Sequence, residues 1–152
     1  MKKMILIADD DAMIRKLFTD VLQDEGYATL AAENGERAIE MARSAKPGLI
    51  LMDIQMPLID GLSAIRVLRA DRDTRLIPVI AVTALAMHED WKRMLAAGFD
   101  GYLSKPISIK ELRAEVNRRL GGGSRQEEGT TEGDGHPCRE IDEIFGRSGS
   151  SL

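Results

Sequence analysis

Three consecutive carboxylates, Asp9, Asp10 and Asp11, follow the apolar run MILIA near the start of the chain. Three like charges at the end of a buried segment repel one another unless a cation lies beside them. A fourth carboxylate, Asp53, follows a second apolar run, LILM. No His or Cys accompanies these acids, which argues against zinc or another soft metal. Mg²⁺ favours a few carboxylate oxygens together with water and phosphoryl oxygens, so the acids indicate a site for a hard divalent cation.

Two further polar side chains, Thr83 and Lys105, also follow apolar runs. A hydroxyl donor and a mobile positive charge can both bind phosphoryl oxygens, and the lysine can also pair with a carboxylate. An aspartate carboxylate can itself be the nucleophile that forms an acyl phosphate. An acidic pair, a nucleophilic carboxylate, a hydroxyl and a lysine make a small phosphoryl-transfer site, in which catalysis depends on positioning and charge neutralisation.

Five short apolar runs that alternate with helical patterns would position these groups. The predicted strands are Met4–Ala8, Ala28–Ala32, Leu49–Met52, Pro78–Val82 and Gly101–Ser104. The first, third and fourth are almost uninterrupted, which is typical of strands buried on both faces, and the other two are weaker and predicted nearer a sheet edge. Strict alternation predicts five β-α units in an α/β sandwich. Because ligands bind at the carboxyl ends of parallel strands, the polar groups are predicted to meet at that edge.

Apolar residues at helical spacing predict the five helices. The stripes are Ile14, Leu17, Phe18, Val21 and Leu22; Ala38, Ile39 and Ala42; Leu62, Ile65 and Leu68; Met87, Trp91, Met94 and Leu95; and Leu112 and Val116. The predicted stops are Glu25-Gly26, Lys46-Pro47 and Gly98, and Ser108 is the predicted N-cap of the fifth helix.

Composition limits the class of protein. The 152 residues suggest one domain, residues 1–120, followed by a flexible low-complexity tail, residues 121–152, which is rich in Gly, Glu, Ser and Thr. A net charge of −4 argues against direct nucleic-acid binding. The single cysteine, Cys138, permits no internal disulfide, and the first apolar run is too short for a signal peptide or a membrane span. We therefore expect a cytoplasmic protein without membrane insertion.

The motifs resemble, in order and spacing, the receiver domain of bacterial two-component response regulators. The matching segments are IADDD, LILMDIQMP, the DG pair Asp60-Gly61, VTALA and YLSKPI, which span Met4 to Leu120. The chain length is similar to that of single-domain regulators of the chemotaxis or polar-differentiation type. The resemblance implies a flavodoxin-like, doubly wound (βα)5 sandwich whose parallel strands have the order 2-1-3-4-5.

The resemblance implies a role for each acid. Asp53 is the expected phosphoacceptor. The expected Mg²⁺ ligands are Asp10 directly, Asp9 largely through water, Asp53, and the backbone carbonyl of Gln55. Asp11 matches no ligand position and is interpreted as a charge at the N-terminus of the first helix.

The remaining matches imply a conformational switch. Thr83 corresponds to the switch hydroxyl, Lys105 to the phosphate-pairing lysine, and Tyr102 to the aromatic residue that turns inward when Thr83 moves toward the phosphate. Lys105-Pro106 corresponds to a bond that is usually cis. Gln55 and Leu85, two residues beyond Asp53 and Thr83, flank the route of the attacking water in this family. Because Leu85 cannot orient that water by hydrogen bonding, we expect a persistent acyl phosphate.

These roles imply a stand-alone phosphorylation switch that is no enzyme beyond self-phosphorylation and self-dephosphorylation at Asp53. The phosphoryl donor would be a histidine kinase or a histidine phosphotransfer protein. Because no effector domain fits in residues 121–152, the output is expected to be a contact with a downstream protein through the fourth helix, fifth strand and fifth helix.

Two other classes of protein were weighed against this interpretation. An Asp-nucleophile phosphatase of haloacid-dehalogenase type would need a second acid two residues after its nucleophile, but Gln55 stands there. A flavodoxin-like FMN carrier would need a Thr-, Ser- and Gly-rich phosphate loop after the first strand, and this loop is absent. Turnover of small phosphate esters would favour the phosphatase, and flavin absorbance would favour the carrier.

Overall fold

Five strands and five helices alternate along the computed structural model, which describes residues 3–84 and 88–121. The strands are β1 (Met4–Ala8), β2 (Ala28–Ala32), β3 (Leu49–Asp53), β4 (Val79–Thr83) and β5 (Gly101–Ser104). The helices are α1 (Ala12–Asp24), α2 (Gly35–Ala45), α3 (Gly61–Ala70), α4 (His88–Ala97) and α5 (Ile109–Leu120). Leu85, Met87 and the predicted tail beyond Gly121 lie outside the described residues.

The strands form one parallel sheet in the order β2-β1-β3-β4-β5, so the predicted flavodoxin-like fold and strand order are confirmed. The two weaker runs, β2 and β5, are the sheet edges, as their weaker hydrophobicity predicted. β1 lies between β2 and β3, with Ala8 opposite Met52 in the β1–β3 register. The strand order therefore reverses beside β1, and the residues that follow Ala8 and Met52 lie at this switch point.

The predicted bounds of two strands differ from the structure by one residue at three of their ends. β3 includes Asp53, and β4 begins at Val79 and includes Thr83, so both functional candidates are the last residues of strands. The ladder continues at each of them, because Ile54 N–H donates to Val82 O and Lys105 N–H donates to Thr83 O. Backbone pairing, and not hydrophobicity, sets where these strands end.

The two faces of the sheet bury separate hydrophobic clusters, since successive side chains of a strand point to opposite faces. Strand residues on the face covered by α1 and α5 are Ile5, Ile7, Leu49, Leu51, Ile80, Val82 and Leu103. Those on the face covered by α2, α3 and α4 are Leu6, Ala8, Ile50, Met52, Val79, Ala81 and Tyr102. Burial on both faces explains the almost continuous apolar runs of β1, β3 and β4.

Among the residues that the structure describes, the predicted helical stripes are buried or half-buried except at two leucines. Leu17 and Leu95 are each 37% exposed, whereas their neighbours Phe18 and Met94 are buried. Successive helical residues are about 100° apart, so each of these leucines lies at the margin of the buried face. Ser108 caps α5 as predicted, by accepting a hydrogen bond from Glu111 N–H at 3.0 Å. Among the described residues, no helix is long and apolar enough to cross a membrane.

Arg69, in the last turn of α3, joins several elements at the amino edge of β4 and β5. Its guanidinium donates two hydrogen bonds to Gly98 O at the end of α4, one to Arg75 O and one to Ile77 O. A fifth hydrogen bond, to the Asp100 carboxylate, measures 2.8 Å. The C-terminal end of α4 is therefore attached to the end of α3 and to the start of β5.

Candidate functional site

The three predicted acidic residues converge at the carboxyl edge of the sheet. One carboxylate oxygen from each of Asp9, Asp10 and Asp53 lies within 4.8 Å of the others. The side-by-side placement of β1 and β3 brings them together, because Asp9 follows β1 and Asp53 ends β3. Asp9 is 1% exposed and Asp53 4% exposed, whereas Asp10 lies at the surface. The cluster is thus buried at its base and open to solvent beside Asp10.

Lys105 reaches the same cluster from the end of β5. Its Nζ atom lies 3.6 Å from Asp9 Oδ2 and 3.5 Å from Asp53 Oδ2. The Lys105 N–H donates to Thr83 O at 2.8 Å, and the Lys105-Pro106 peptide bond is cis, as the resemblance implied. One ammonium group therefore faces two buried carboxylates, which leaves an excess of negative charge at the base of the site.

The buried carboxylates are incompletely satisfied in the described part of the chain. Asp9 Oδ1 accepts a hydrogen bond from Asp11 N–H at 2.9 Å, and Asp53 Oδ1 accepts one from Gln55 N–H at 3.2 Å. Asp9 Oδ2 is buried without a hydrogen-bond partner among the described residues. A buried carboxylate oxygen without a donor is unfavourable, and a cation beside it would relieve that cost.

The pKa values of the two buried acids reflect the same imbalance. The pKa of Asp53 is raised to about 6, chiefly by burial and then by the nearby charge of Asp9, against the opposing effects of Lys105 and the Gln55 N–H. Burial also raises the pKa of Asp9, although the Asp11 N–H and Lys105 oppose this. Desolvation therefore outweighs the single lysine at both groups.

The donor set fits a hard divalent cation. The three acidic groups offer carboxylate oxygens, which Mg²⁺ prefers, and Asp9 Oδ2 is buried without a hydrogen bond, with only the Lys105 ammonium group 3.6 Å away. The backbone of Gln55 lies beside Asp53, through the hydrogen bond from its N–H, while its side chain is exposed. The role of the Gln55 carbonyl as a metal ligand stays a prediction.

Thr83 and Tyr102 lie on the same face of the sheet, on the neighbouring strands β4 and β5. Thr83 is buried at the end of β4, the strand adjacent to that of Asp53. In the β4–β5 register Tyr102 is opposite Ala81, two residues before Thr83, so the alternation of side chains places both on the α4 face. The two side chains therefore face the same layer of helices.

The ring of Tyr102 stacks on Trp91 of α4, with ring centroids 3.7 Å apart and an interplanar angle of 29°. Both side chains are buried, which agrees with the place of Trp91 in the predicted apolar stripe of the fourth helix. The stack itself was not predicted. The sequence gives one signal for the stack. Trp91 is a large apolar residue of α4, and Tyr102 is the one aromatic residue of the outer strand β5.

Two glycines, for which the sequence motifs predict no packing role, pack closely against the segment between β3 and α3. A Cβ atom on Gly35 would lie 2.1 Å from Ile59 O, and one on Gly61 would lie 2.6 Å from Asp53 O. Gly61 N–H also donates to Ile54 O at 2.9 Å. The loop that carries Gln55 therefore contacts the start of α2 and the start of α3 without room for a side chain.

Asp11 forms no part of the acidic cluster. It is the N-cap of α1, and its side chain accepts a hydrogen bond from Met13 N–H at 2.9 Å. This agrees with its interpretation as a charge at the start of a helix.

Residues 5–117 match the family model of the response regulator receiver domain. The chain is 42% identical over 121 residues to the polar-differentiation response regulator DivK of Brucella anthropi, covering 80% of the chain and 98% of that relative. The DivK protein of Brucella ovis is 41% identical over the same length.

Solved structures show the same fold. The chemotaxis response regulator CheY4 of Vibrio cholerae is similar with a TM-score of 0.76 and 28% identity, over 79% of the chain and all of that structure. The receiver domain of sensor histidine kinase PA1611 from Pseudomonas aeruginosa has a TM-score of 0.74 and 33% identity, over 80% of the chain and all of that structure. That receiver domain holds a magnesium ion coordinated in its active-site cleft.

Proposed function

Because the chain belongs to the response regulator receiver domain family, we propose that it is a phosphorylation switch in which Asp53 accepts a phosphoryl group. The donor is a phosphohistidine on a histidine kinase or on a histidine phosphotransfer protein. The observation that carries the proposal is the convergence of three carboxylates and one lysine at the strand-order switch point.

The proposed transfer is a substitution at phosphorus. An oxygen of the Asp53 carboxylate forms a bond to phosphorus while the bond from phosphorus to the donor imidazole nitrogen breaks, and the imidazole keeps the electron pair. Lys105, whose Nζ atom lies 3.5 Å from Asp53 Oδ2, can then bind a phosphoryl oxygen. The Asp53 carboxylate is buried and its pKa is raised. Phosphorylation would move negative charge from this carboxylate to phosphoryl oxygens, which Lys105 can bind.

Asp9, Asp10 and Asp53 are the carboxylates that would hold a divalent cation, together with the Gln55 carbonyl. When bound, Mg²⁺ would neutralise charge on the phosphoryl oxygens and on the acids. The residues of the chain supply the rest: β1 and β3 fix the spacing of the acids, and the N–H groups of Asp11 and Gln55 orient two of the carboxylates.

The proposed switch couples the phosphoryl group to the face formed by α4, β5 and α5. Thr83 is next to the strand of Asp53, and it shares a sheet face with Tyr102. Movement of Thr83 toward a phosphoryl oxygen would change the space available to the Tyr102 ring, which contacts Trp91 of α4. A downstream protein that binds this face would then distinguish the phosphorylated form from the free form.

Phosphorylation of the purified chain tests the proposal. The protein is incubated with Mg²⁺ and either acetyl phosphate or a phosphorylated histidine kinase, and the acyl phosphate is detected by intact mass and by its lability to hydroxylamine. We expect one phosphoryl group on the wild type and on Asp24→Asn, which removes an exposed acid at the opposite end of α1, and none on Asp53→Asn. Modification that persists in Asp53→Asn would refute the assignment.

The family match supports neither the phosphatase nor the FMN-carrier alternative. Multiple turnovers of a small phosphate ester by the wild type, lost in Asp53→Asn, would contradict a switch that is phosphorylated once per donor.

A further inference from the structure

Arg15 contacts the acidic turn, which is formed by Asp9, Asp10 and Asp11, although Arg15 belongs to no motif of the site. It lies near the start of α1, where its own N–H donates to Asp11 O. Its Nη1 atom donates a hydrogen bond to the backbone carbonyl of Asp9 at 2.8 Å, and the side chain is partly buried. The N-terminal end of a helix carries a partial positive charge, so a cation here is unfavourable for helix stability. The contact with Asp9 gives a different reason for an arginine at this position.

The hydrogen bond restrains the peptide that joins Asp9 to Asp10. The other polar groups of Asp9 already have fixed directions, because its N–H donates to Ala32 O at 3.1 Å and its Oδ1 accepts from Asp11 N–H. The Asp9 carbonyl belongs to the peptide plane that joins Asp9 to Asp10. Rotation of this plane about the Cα–C bond of Asp9 moves Cα of Asp10. Arg15 therefore holds the peptide that sets where the exposed carboxylate of the cluster can lie.

We propose that Arg15 is a positioning residue for the divalent-cation site, acting through the Asp9 carbonyl on the placement of Asp10. The inference rests on the proposed function, since it assumes that the three carboxylates bind a cation. Outer partners that orient metal ligands typically change metal affinity by about ten- to a hundredfold when they are removed.

A role of Arg15 through its charge and a role through positioning predict opposite changes in Mg²⁺ affinity when Arg15 is removed. If Arg15 acted only through its charge, the guanidinium would repel Mg²⁺, and its removal would tighten Mg²⁺ binding. If it positions the turn, its removal leaves the Asp9–Asp10 peptide free to rotate and weakens binding. The sign of the change therefore separates the two mechanisms.

Titration of the full chain with MgCl₂, followed by the ¹H–¹⁵N shifts of amides in the acidic turn and of Gln55, measures the affinity. The variant is Arg15→Met, which keeps a long apolar stem without the hydrogen-bond donor. The matched control is Lys16→Met, since Lys16 is the next residue, is exposed and pairs with Asp20 on α1. We expect Arg15→Met to weaken Mg²⁺ binding about tenfold and Lys16→Met to leave it within about twofold.

Unfolding by urea in EDTA separates positioning from general stability. A purely structural role would lower the urea midpoint of Arg15→Met and leave its Mg²⁺ affinity at the wild-type value, and that result would overturn the inference. Equal or tighter Mg²⁺ binding by a folded Arg15→Met would also overturn it. If Arg15→Met does not fold, the shorter Arg15→Gln is titrated with the same two outcomes. A wild-type chain without Mg²⁺ binding would refute the proposed metal site itself, and the role of Arg15 with it.

Discussion

Replacing Asp53 by Asn should stabilise the metal-free protein. Ionised Asp53 is buried beside ionised Asp9, and Lys105 compensates for only part of this charge. Asn has almost the same shape and carries no charge, so it removes both the repulsion and the desolvation of an anion. The residue that we propose as the phosphoacceptor is thus expected to reduce the free energy of unfolding.

The magnitude follows from the pKa of Asp53, which rises from an ordinary value of 3.8 to about 6 in the folded chain. Each pH unit corresponds to about 1.4 kcal/mol, so the ionised group destabilises the fold by at most about 3 kcal/mol near neutral pH. Between those two pKa values the folded state binds more protons than the unfolded state. Wild-type stability therefore falls as the pH rises through this window, and this contribution is absent from Asp53→Asn. We expect the free energy of unfolding of Asp53→Asn to exceed that of the wild type by about 1 to 3 kcal/mol at pH 8. This difference should be almost lost at pH 4.

Urea denaturation in EDTA at both pH values measures the difference. Asp24→Asn is the control, because it removes the same charge from an exposed site at the other edge of the sheet and should change stability by less than about 0.5 kcal/mol. Added Mg²⁺ should stabilise the wild type more than Asp53→Asn, which lacks one ligand, and so narrow the gap. Equal stabilities of wild type and Asp53→Asn at pH 8 in EDTA, or a less stable Asp53→Asn, would show that the buried charge is compensated and would refute the reasoning.

Three further outcomes are expected. Gly35→Ala should lower the free energy of unfolding by more than about 1 kcal/mol in a urea titration, because its Cβ would lie 2.1 Å from Ile59 O. The control is Gly48→Ala, whose Cβ would meet nothing closer than 3.4 Å. Equal losses of stability in the two variants would contradict the steric cause. Trp91 is the only tryptophan of the chain, so its emission should change when beryllofluoride mimics phosphorylation, and an unchanged spectrum would argue against a switch through the aromatic stack. The acyl phosphate should persist well beyond seconds in Mg²⁺, because Leu85 offers the attacking water no hydrogen bond; a radiolabel decay within seconds would contradict this.

Much of the fold could be predicted because parallel strands covered on both faces must be apolar throughout. The runs of β1, β3 and β4 stood out for that reason, and alternation with helical patterns gave the α/β class. Hydrophobicity could not give the last strand residues, since Asp53 and Thr83 are polar but still belong to the backbone ladder. The strand order came from the resemblance to receiver domains, because periodicity alone does not specify which strands are neighbours.

The chemistry-bearing residues of the candidate site could be found because each stands at the end of an apolar run. Parallel strands deliver such positions to one edge, whatever the details of packing. The contacts of Arg15 with Asp9, of Gly35 with Ile59 and of Trp91 with Tyr102 could not be found in this way. Each depends on the distance between separate segments, which the sequence determines only through the complete packed structure.

Two of the five hydrogen bonds of Arg69 anchor the C-terminal end of α4. They hold the Gly98 carbonyl at the amino edge of the sheet, opposite to the edge where Asp53 ends β3. A shift of the whole helix would break both hydrogen bonds from Arg69 to Gly98 O, whereas a tilt of the helix about Gly98 would preserve them. Because α4 is about 15 Å long, a small tilt at its anchored end becomes a larger displacement beside the pocket. In the proposed switch, movement of α4 would therefore be largest at its N-terminal end, while the end held by Arg69 stays in place.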